Sequence, residues 1–386
     1  MPLAARGLRL AYGAMPAVGA GRAASLADRP LSGLLGIDKP SGPTSMDLLD
    51  RLKPLLASSS LFYAADEKRA SQDRRRLKPW EKALQKKCGG RLPPKLGQGG
   101  TLDPLAEGVL VIGIGAATKQ LSQFLHCSKE YETTGLLGTS TTSYDSQEPV
   151  MCRAPHAHVD EALVRSQLPR FTGAVKQLPP VFSALRMDGK RLFEYAREGL
   201  PLPRPIEPRD VTVHELRLVA WHAPDAHAYE PPTAQVSPED QALLGQVRRL
   251  AGSDAGGTDT FKEGEAPKPE PAAATDAPTE APERVRPAAF TLAMTVSSGT
   301  YVRSIVHDLG TACGSAAHVV RLRRTRQGDF SLGTQDAPGN CLPWSVFEQG
   351  LKELEGAQRG DTSCDTRDEH GLRAWERAVL EYIHLV

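Results

Sequence analysis

The chain has 386 residues with a formal net charge of +1 at pH 7, and 40% of its residues are hydrophobic. This length suits two average domains or one large domain with insertions. No run of about twenty apolar residues occurs, which excludes a membrane-spanning helix. The six cysteines have no C-x-x-C or paired metal spacing, a pattern typical of reduced thiols in an intracellular protein.

The charge is distributed unevenly along the chain. Residues 223–283 are rich in Asp and Glu, whereas residues 66–91 are strongly basic. The basic residues of that second stretch are Lys68, Arg69, Arg74, Arg75, Arg76, Lys78, Lys82, Lys86, Lys87 and Arg91. Because the acidic stretch offsets the basic one in the sum, the net charge understates the positive potential of the folded part.

The first 32 residues differ in composition from the rest. They contain several arginines and many Ala and Gly residues, and no acidic residue precedes Asp28. This composition suits a mitochondrial targeting segment and equally an unstructured, alanine-rich N-terminus. Both interpretations stay open, and the ordered core is expected to begin near Leu34.

A basic stretch over about 54–95 separates the opening strand from the next motif. Its few apolar residues, such as Trp80 and Leu84, predict an insertion that is partly helical. The basic runs suit phosphate contacts or a nuclear address, and an ordinary solvated surface would look the same.

The glycine-rich run at 97–110 (GQGGTLDPLAEGVL) places a carboxylate, Asp103, directly before Pro104. An Asp-Pro pair is favoured where a helix begins, so the pattern predicts a helix from Pro104 whose N-terminus keeps Asp103 ionised. The glycines leave room for another backbone to approach the carboxylate. This combination suits a nucleophile or a base. The G-x-G that follows lacks the third glycine and the βαβ pattern of a dinucleotide loop.

Two strands are predicted on either side of a long polar segment. The alternation at 211–221 and the apolar run at 290–296 are typical of strands, while 223–287 is rich in Pro, Ala, Glu, Asp and Gly. The polar segment is too poor in apolar residues to form a core, which predicts disorder. The region is therefore expected to be a hairpin with an insertion at its tip. The tail after 333 shows a helical pattern at 372–383.

Several segments, in order along the chain, resemble the TruB family of pseudouridine synthases. They are 36–45 (GIDKPSGPTS), 97–119, 129–131 (KEY), 138–145 (GTSTTSYD), 179–186 (PPVFSALR) with 195–197 (YAR), and 297–304 (SSGTYVRS) with 308–310 (DLG). Together these matches cover about half of the chain. Their ordered recurrence is far more specific than any single one.

The resemblance implies an α+β protein with the pseudouridine synthase fold, in which a mixed, mostly antiparallel central sheet is flanked by helices. The catalytic domain is then expected at 33–333, interrupted by the insertions at about 54–95 and 223–287. Residues 334–386 are expected to form a helical extension. They are too short and too poor in strand pattern for an RNA-binding PUA domain, as in the stand-alone eukaryotic branch of the family.

The resemblance also assigns the reaction to three residues. Asp103 is similar to the essential aspartate, which attacks covalently or removes a ribose proton, and the sequence leaves these alternatives open. Arg303 is similar to the arginine that pairs with this aspartate. Tyr131 is similar to the tyrosine that stacks on the uracil, and its hydroxyl is a candidate for proton transfer at carbon 5.

Substrate contacts are expected from a second group of residues. These are Lys39, Gln98, Thr101, Tyr301, Leu322 and Arg324. Lys39 suits support of a loop or of a phosphate. The crowded arginines Arg321, Arg323, Arg324 and Arg326 suit backbone phosphates. Gln98 stands where the family usually has a histidine that helps to fill the space left by the flipped nucleotide, which puts RNA positioning in doubt rather than catalysis.

The resemblance implies a tRNA pseudouridine(55) synthase that isomerises a uridine of the TΨC loop after base flipping. The reaction is expected to need no cofactor and no metal. The expected partners are the T-arm of tRNA and, as a further candidate, mRNA, with no membrane, no obligate protein partner and a monomeric state. The nucleus and the mitochondrion are the expected compartments. The alternatives are a dyskerin-like, guide-dependent or mRNA-directed synthase and a non-catalytic RNA chaperone of the same fold.

Overall fold

The computed structural model describes residues 24–64, 77–198, 200–237, 260–262, 286–334, 336–361 and 367–386. The candidate targeting segment therefore lies outside the described residues over 1–23. The same holds for residues 65–76 of the basic insertion and for residues 238–259 and 263–285 of the acidic one.

The described residues form a mixed set of strands and helices. The strands are β1 (Gly33–Lys39), β2 (Leu96–Gln98), β3 (Glu107–Ile114), β4 (Lys129–Leu137), β5 (Thr139–Thr141), β6 (Val150–Arg153), β7 (Gly173–Gln177), β8 (Arg186–Met187), β9 (Lys190–Arg191), β10 (Arg209–His222), β11 (Thr260–Lys262), β12 (Ala289–Val296), β13 (Ala317–Gln327), β14 (Phe330–Ser331), β15 (Cys341–Pro343) and β16 (His384–Leu385). The α-helices are α1 (Ser45–Ser58), α2 (Pro79–Lys87), α3 (Ser122–His126), α4 (Glu161–Gln167), α5 (Leu192–Arg197), α6 (Val302–Ala312), α7 (Trp344–Gln358) and α8 (Ala374–Tyr382).

One large sheet organises the molecule. Its strand order is β11-β7-β10-β12-β4-β13-β3-β1-β15, with β14, β16 and β2 paired at its margins. Strand β1 is parallel to β15 and β13 is parallel to β3, while the other pairings in this sheet are antiparallel. The predicted α+β architecture with a mixed, mostly antiparallel sheet is confirmed.

The sheet is buried on both faces around β1 and β3, and the alternation of their side chains explains why. Leu35 and Ile37 of β1 belong to the main core, which α1 and α6 also line. Leu34 and Val109 point to the opposite face, where they pack with Phe124 of α3. Successive side chains of a strand point to opposite faces, so a nearly continuous apolar strand requires a cover on each side.

Strands β10 and β12 form the predicted hairpin, from Val213 opposite Val296 to His222 opposite Ala289. The prediction of disorder across 223–287 does not hold for the described parts of that segment. Val236 donates a backbone hydrogen bond to Val150, and β11 adds an edge strand to β7. Backbone pairing with an open strand edge orders these parts without a core of their own, which hydrophobic composition does not reveal.

The predicted start of the basic insertion, at 54, falls inside α1. Leu52, Leu55 and Leu56 are buried and continue the apolar face of this helix across Pro54 to Ser58. A proline inside a helix destabilises it by about 3 kcal/mol, whereas burial of each leucine stabilises the fold by roughly 1.5–3 kcal/mol. The packing of the three leucines therefore outweighs Pro54, and the helix continues through it. The insertion begins only after α1, and its predicted helical part is α2.

The C-terminal residues belong to the same core rather than to a separate extension. Strand β15 pairs with the middle of β1, and β16 pairs with its start. Trp344, Phe347 and Trp375 are buried in the main core. The helix predicted at 372–383 lies at Ala374–Tyr382. In the part of the chain that the structure describes, no helix has the length and apolar character needed to cross a membrane.

Candidate active site

Asp103 lies in the loop between β2 and β3, which are antiparallel neighbours. The prediction of a helix beginning at Pro104 is wrong, because residues 101–106 form an irregular turn and β3 starts at Glu107. The turn is closed by a hydrogen bond from the Ala106 amide to the Asp103 carbonyl (3.1 Å). The need of β3 for a partner on the sheet overrides the local preference of an Asp-Pro pair for a helix start.

Lys39, at the end of β1, and Ser45, at the start of α1, hold one side of this loop by bonding to the backbone of the loop. The buried Lys39 ammonium donates to the carbonyl oxygens of Ala106 (2.6 Å) and Pro104 (3.3 Å). Ser45 exchanges two hydrogen bonds with the backbone of Leu102, at 2.9 and 3.1 Å. Burial lowers the pKa of Lys39 to about 8, against the opposing attraction of the Asp103 carboxylate. Lys39 is therefore placed to support the loop, the first of the two roles considered for it.

Arg324 holds the other side of the loop. Its guanidinium donates to the carbonyls of Val109 (2.7 Å) and Gly100 (3.0 Å), and the residue is 1% exposed. A Cβ at Gly108 would lie 2.2 Å from the Arg324 carbonyl, so only glycine allows β3 and β13 to approach this closely. A phosphate contact by Arg324 does not fit this burial, and the side chain acts on the loop instead.

The neighbouring arginines of β13 are paired with carboxylates. Arg321 contacts Glu107 (3.1 Å) and Glu132 (3.3 Å), and Arg323 contacts Asp38 (3.3 Å). Arg326 likewise contacts Glu130 at 3.2 Å. These carboxylates offset the row of positive charge, so the row is less attractive to phosphate than the sequence indicates.

Arg303, near the start of α6, faces the Asp103 carboxylate. Its Nε lies 2.9 Å from Asp103 Oδ2, and its terminal nitrogens donate to the carbonyls of Ser143 (2.6 Å) and Phe182 (3.0 Å). The Arg303 side chain is 6% exposed and that of Asp103 is 41% exposed. Burial alone would lower the pKa of Arg303, but the carboxylates of Asp103 and Asp145 raise it above its usual value. A fixed cation thus orients a carboxylate that remains open to a ligand.

Asp145 completes this arrangement, and sequence reasoning did not assign it a role. Its Oδ2 lies 3.7 Å from Arg303, while Oδ1 accepts from the Ser143 hydroxyl (2.7 Å) and the Gln147 amide (3.1 Å). Burial raises the pKa of Asp145, and Arg303 acts in the opposite direction. The sequence feature that could have indicated this residue is its position as the last residue of the 138–145 motif.

The residue before Asp145 has an unusual backbone conformation. Tyr144 has φ = 64°, in the left-handed region, which costs roughly 1–2 kcal/mol for a residue with a Cβ. Its ring stacks on His307 of α6, with the ring centroids 3.9 Å apart, and its carbonyl accepts a hydrogen bond from Val319 (2.9 Å). These contacts stabilise the turn that directs Asp145 toward Arg303.

Tyr131 and Leu322 share one face of the β4–β13 pair. Tyr131 lies opposite Arg324, and Thr133 lies opposite Leu322. Side chains of directly opposite residues in antiparallel strands lie on the same face, and so do alternate residues of one strand. Tyr131, Leu322 and Arg324 therefore lie on the same face of the sheet. Tyr131 and Leu322 are buried.

Tyr301 is half-buried just before α6. The buried Gln177 side chain accepts from the Tyr301 amide (2.7 Å) and donates to the Tyr301 carbonyl (3.0 Å). Tyr301 also lies close enough to Arg303 to raise the pKa of that arginine. The structure therefore places Tyr301 beside the Asp103–Arg303 pair.

Gln98 and Thr101 form the outer edge of the loop. The Gln98 amide nitrogen donates to the Thr101 hydroxyl (3.0 Å) and lies 3.9 Å from Met46 Sδ. The Gln98 carbonyl oxygen is buried and has no hydrogen-bond partner among the described residues. Thr101 is exposed. The described residues hold no group of three or more His, Cys, Asp or Glu side chains arranged to bind a metal ion.

Comparison with known proteins gives matches over most of the chain. The model described as TruB family pseudouridylate synthase (N terminal domain) matches residues 85–230, and that of the tRNA pseudouridylate synthase B C-terminal domain matches residues 303–337. The tRNA pseudouridine synthase 4 of Schizosaccharomyces pombe is 38% identical over 349 residues, or 82% of each protein. The Saccharomyces cerevisiae protein of the same name is 36% identical over 322 residues, or 78% of each.

A solved structure of a Cbf5-Nop10-Gar1 complex contains a chain that is similar at 18% sequence identity and a TM-score of 0.46. The match covers 92% of the present chain and 61% of that chain.

Proposed function

The chain belongs to the TruB family of pseudouridylate synthases, and from this premise we propose that it isomerises uridine 55 in the TΨC loop of tRNA. Support comes from the relatives at 38% and 36% identity, both named tRNA pseudouridine synthase 4. The observation that carries the proposal is the half-exposed Asp103 carboxylate, held 2.9 Å from the buried Arg303.

Asp103 starts the reaction in this proposal. Its carboxylate attacks the substrate covalently or removes a ribose proton, so that the bond between ribose and uracil breaks. The base then turns and rejoins through carbon 5, with no group lost and no change of oxidation state. Arg303 fixes the direction of the carboxylate through a charge-assisted hydrogen bond.

The uracil must leave its stack to reach Asp103, which costs a few kcal/mol. In the proposed complex the Tyr131 ring stacks on the flipped base, a contact worth about 1–3 kcal/mol. Leu322, on the same sheet face, and Tyr301, beside Arg303, line the remaining sides of the uracil. In this proposal the Tyr131 hydroxyl moves the proton at carbon 5.

Gln98 and Thr101 contact the RNA at the rim of the loop in this proposal. Their mutual hydrogen bond orients the two side chains at this rim, where Thr101 is exposed. Lys39 and Arg324 act indirectly, because both donate to loop carbonyls.

The decisive experiment measures pseudouridine in an unmodified tRNA transcript treated with the purified protein. The controls are Asp103→Asn and a transcript in which the T-loop uridine is cytidine. Product at that single position, absent from both controls, supports the reaction, the substrate and the residue together. Tight tRNA binding without product would contradict it and favour the RNA chaperone or a guide-dependent enzyme.

The wider expectations stay proposals with tests of their own. We propose that the protein acts as a monomer, that mRNA is a further substrate, and that it works in the nucleus and mitochondrion. Light scattering checks the first, and transcriptome-wide pseudouridine mapping after depletion checks the second. A fluorescent fusion with and without residues 1–32 checks the third.

A further inference from the structure

Helix α2 has two distinct faces. Glu81 of the helix and Cys88, directly after its last residue, are buried. The Glu81 carboxylate accepts a hydrogen bond from the Lys78 amide (2.8 Å), which fixes the start of the helix. The outward side carries Trp80, which is 61% exposed, and the exposed lysines Lys82, Lys86 and Lys87.

These lysines differ from the arginines of β13. Over the described ranges no carboxylate pairs with Lys82, Lys86 or Lys87, whereas Arg321, Arg323 and Arg326 all contact Asp or Glu. Lysines in the last turn of a helix interact favourably with the helix dipole. This interaction explains the presence of Lys86 and Lys87 in α2, but not that of Lys82 or of the exposed Trp80 indole. The face therefore keeps its positive charge and leaves a large aromatic surface in water.

The position of α2 relative to Asp103 follows from α1. Ser45 at the start of α1 contacts Leu102 of the Asp103 loop. Lys53, eight residues later, lies close enough to Cys88 to lower the pKa of that thiol, although burial raises it overall. A helix rises 1.5 Å per residue, so Lys53 lies roughly 12 Å along α1 from Ser45, and the end of α2 is within electrostatic reach of Lys53. RNA held at Asp103 extends over such a distance.

We infer that the outward face of α2 is a second RNA-docking surface, on which Lys82, Lys86 and Lys87 contact backbone phosphates and Trp80 stacks on an unpaired base. The inference rests on the proposed function, because it takes the substrate of the Asp103 site to be RNA. Unpaired cations and an exposed aromatic ring on the same helix match the two chemical features of single-stranded RNA, its phosphates and its base faces. The surface adds affinity and leaves the chemical step unchanged.

The test measures binding of the unmodified tRNA transcript at several salt concentrations. The triple variant K82A/K86A/K87A is expected to bind about 10- to 100-fold more weakly and to lose roughly 2–3 from the slope of log K against log salt, since each phosphate contact contributes about 0.7–0.9. Lys352→Ala, at an exposed lysine of α7, is the control for loss of a surface lysine outside α2 and should leave both quantities unchanged.

The aromatic contact has its own pair of variants. Trp80→Ala is expected to weaken binding about 5- to 100-fold with an unchanged salt slope, and Trp80→Phe should retain most of the affinity. At saturating tRNA the turnover of all these variants should equal that of the unmodified protein, so that the defect appears in KM alone. Circular dichroism spectra that match the wild type show that the variants are folded.

Wild-type affinity and salt slope in the triple variant and Trp80→Ala would overturn the inference, and the face would then serve a partner other than RNA. The two proposals fail separately. If the wild type shows turnover and the α2 variants bind tRNA as the wild type does, only the proposal of the docking surface fails. If these variants bind tRNA more weakly than the wild type but the wild type shows no turnover, only the proposal of the enzymatic activity fails.

Discussion

Three buried cations contact the Asp103 loop, and they act on different groups. Lys39 and Arg324 donate to backbone carbonyls of the loop, at 2.6–3.3 Å. Arg303 instead contacts the carboxylate of Asp103 itself. The difference separates two tasks that look alike in the sequence. A cation bonded to backbone carbonyls fixes the shape of the loop, whereas one bonded to a carboxylate fixes the direction of that side chain. Variants of these two kinds of cation should accordingly fail in different measurements.

The largest effect is expected from Arg303→Gln. Without the fixed cation the Asp103 carboxylate loses its charge-assisted partner, and turnover should fall by about 10³-fold or more. Single-turnover formation of pseudouridine measures this loss, and tRNA binding should change by less than about tenfold. Arg303→Lys keeps the charge but not the planar fork, and should recover only part of the rate. Turnover of Arg303→Gln near that of the wild type would break the comparison.

Arg324→Met is expected to fail in stability first. It leaves the carbonyls of Gly100 and Val109 without their donor, which should lower the free energy of unfolding by roughly 2–4 kcal/mol. Denaturant unfolding measures this change. Turnover of the folded fraction should fall less than in Arg303→Gln. An equal loss of turnover with unchanged stability would place Arg324 on the chemical side instead.

Lys39 allows a test through pH. Its pKa is about 8 in the folded protein and usually 10.5, so between these values the unfolded chain holds more protons than the folded one. The contribution of Lys39 to the free energy of unfolding therefore rises with pH in this window and is constant below it. We expect the difference between wild type and Lys39→Met to grow by roughly 1–3 kcal/mol in favour of the wild type from pH 8 to pH 10.5.

Chemical denaturation of both proteins across that range measures the difference, in which the titration of shared groups cancels. A difference that stays flat or shrinks with rising pH would mean that the Lys39 ammonium is not held in a dry environment.

The smallest effect is expected from Gln98→Ala. The variant loses the hydrogen bond to Thr101 but also removes a buried carbonyl oxygen that lacks a donor, and the two changes oppose each other. Stability should change by less than about 1 kcal/mol, and turnover at saturating tRNA by less than about threefold. An increase of KM without loss of turnover would sharpen the assignment of Gln98 to RNA positioning. A large loss of turnover would move Gln98 to the chemical group.

Much of the fold could be read from local patterns. The hairpin of β10 and β12 follows from alternation on both sides of a polar segment, and α8 from a helical pattern near the C-terminus. The pairing of Asp103 with Arg303 was expected from the resemblance to the TruB family and is present at 2.9 Å. Predictions that rested on local preference alone were less secure. The strand β3, not a helix, follows Pro104, and α1 continues through Pro54.

The sequence by itself determined the composition of the site, because the order of its motifs brings one carboxylate, one arginine and the tyrosines Tyr131 and Tyr301 into a single domain. Only the tertiary structure decided which cation does which task. Arg303, Arg324 and Lys39 are all basic residues. Their functions depend on whether a carboxylate lies within about 3 Å, as it does for Arg303, or backbone carbonyls alone do, as for Arg324 and Lys39. That depends on pairing between β1, β3 and β13, strands more than 60 residues apart in the chain, so no local pattern records it.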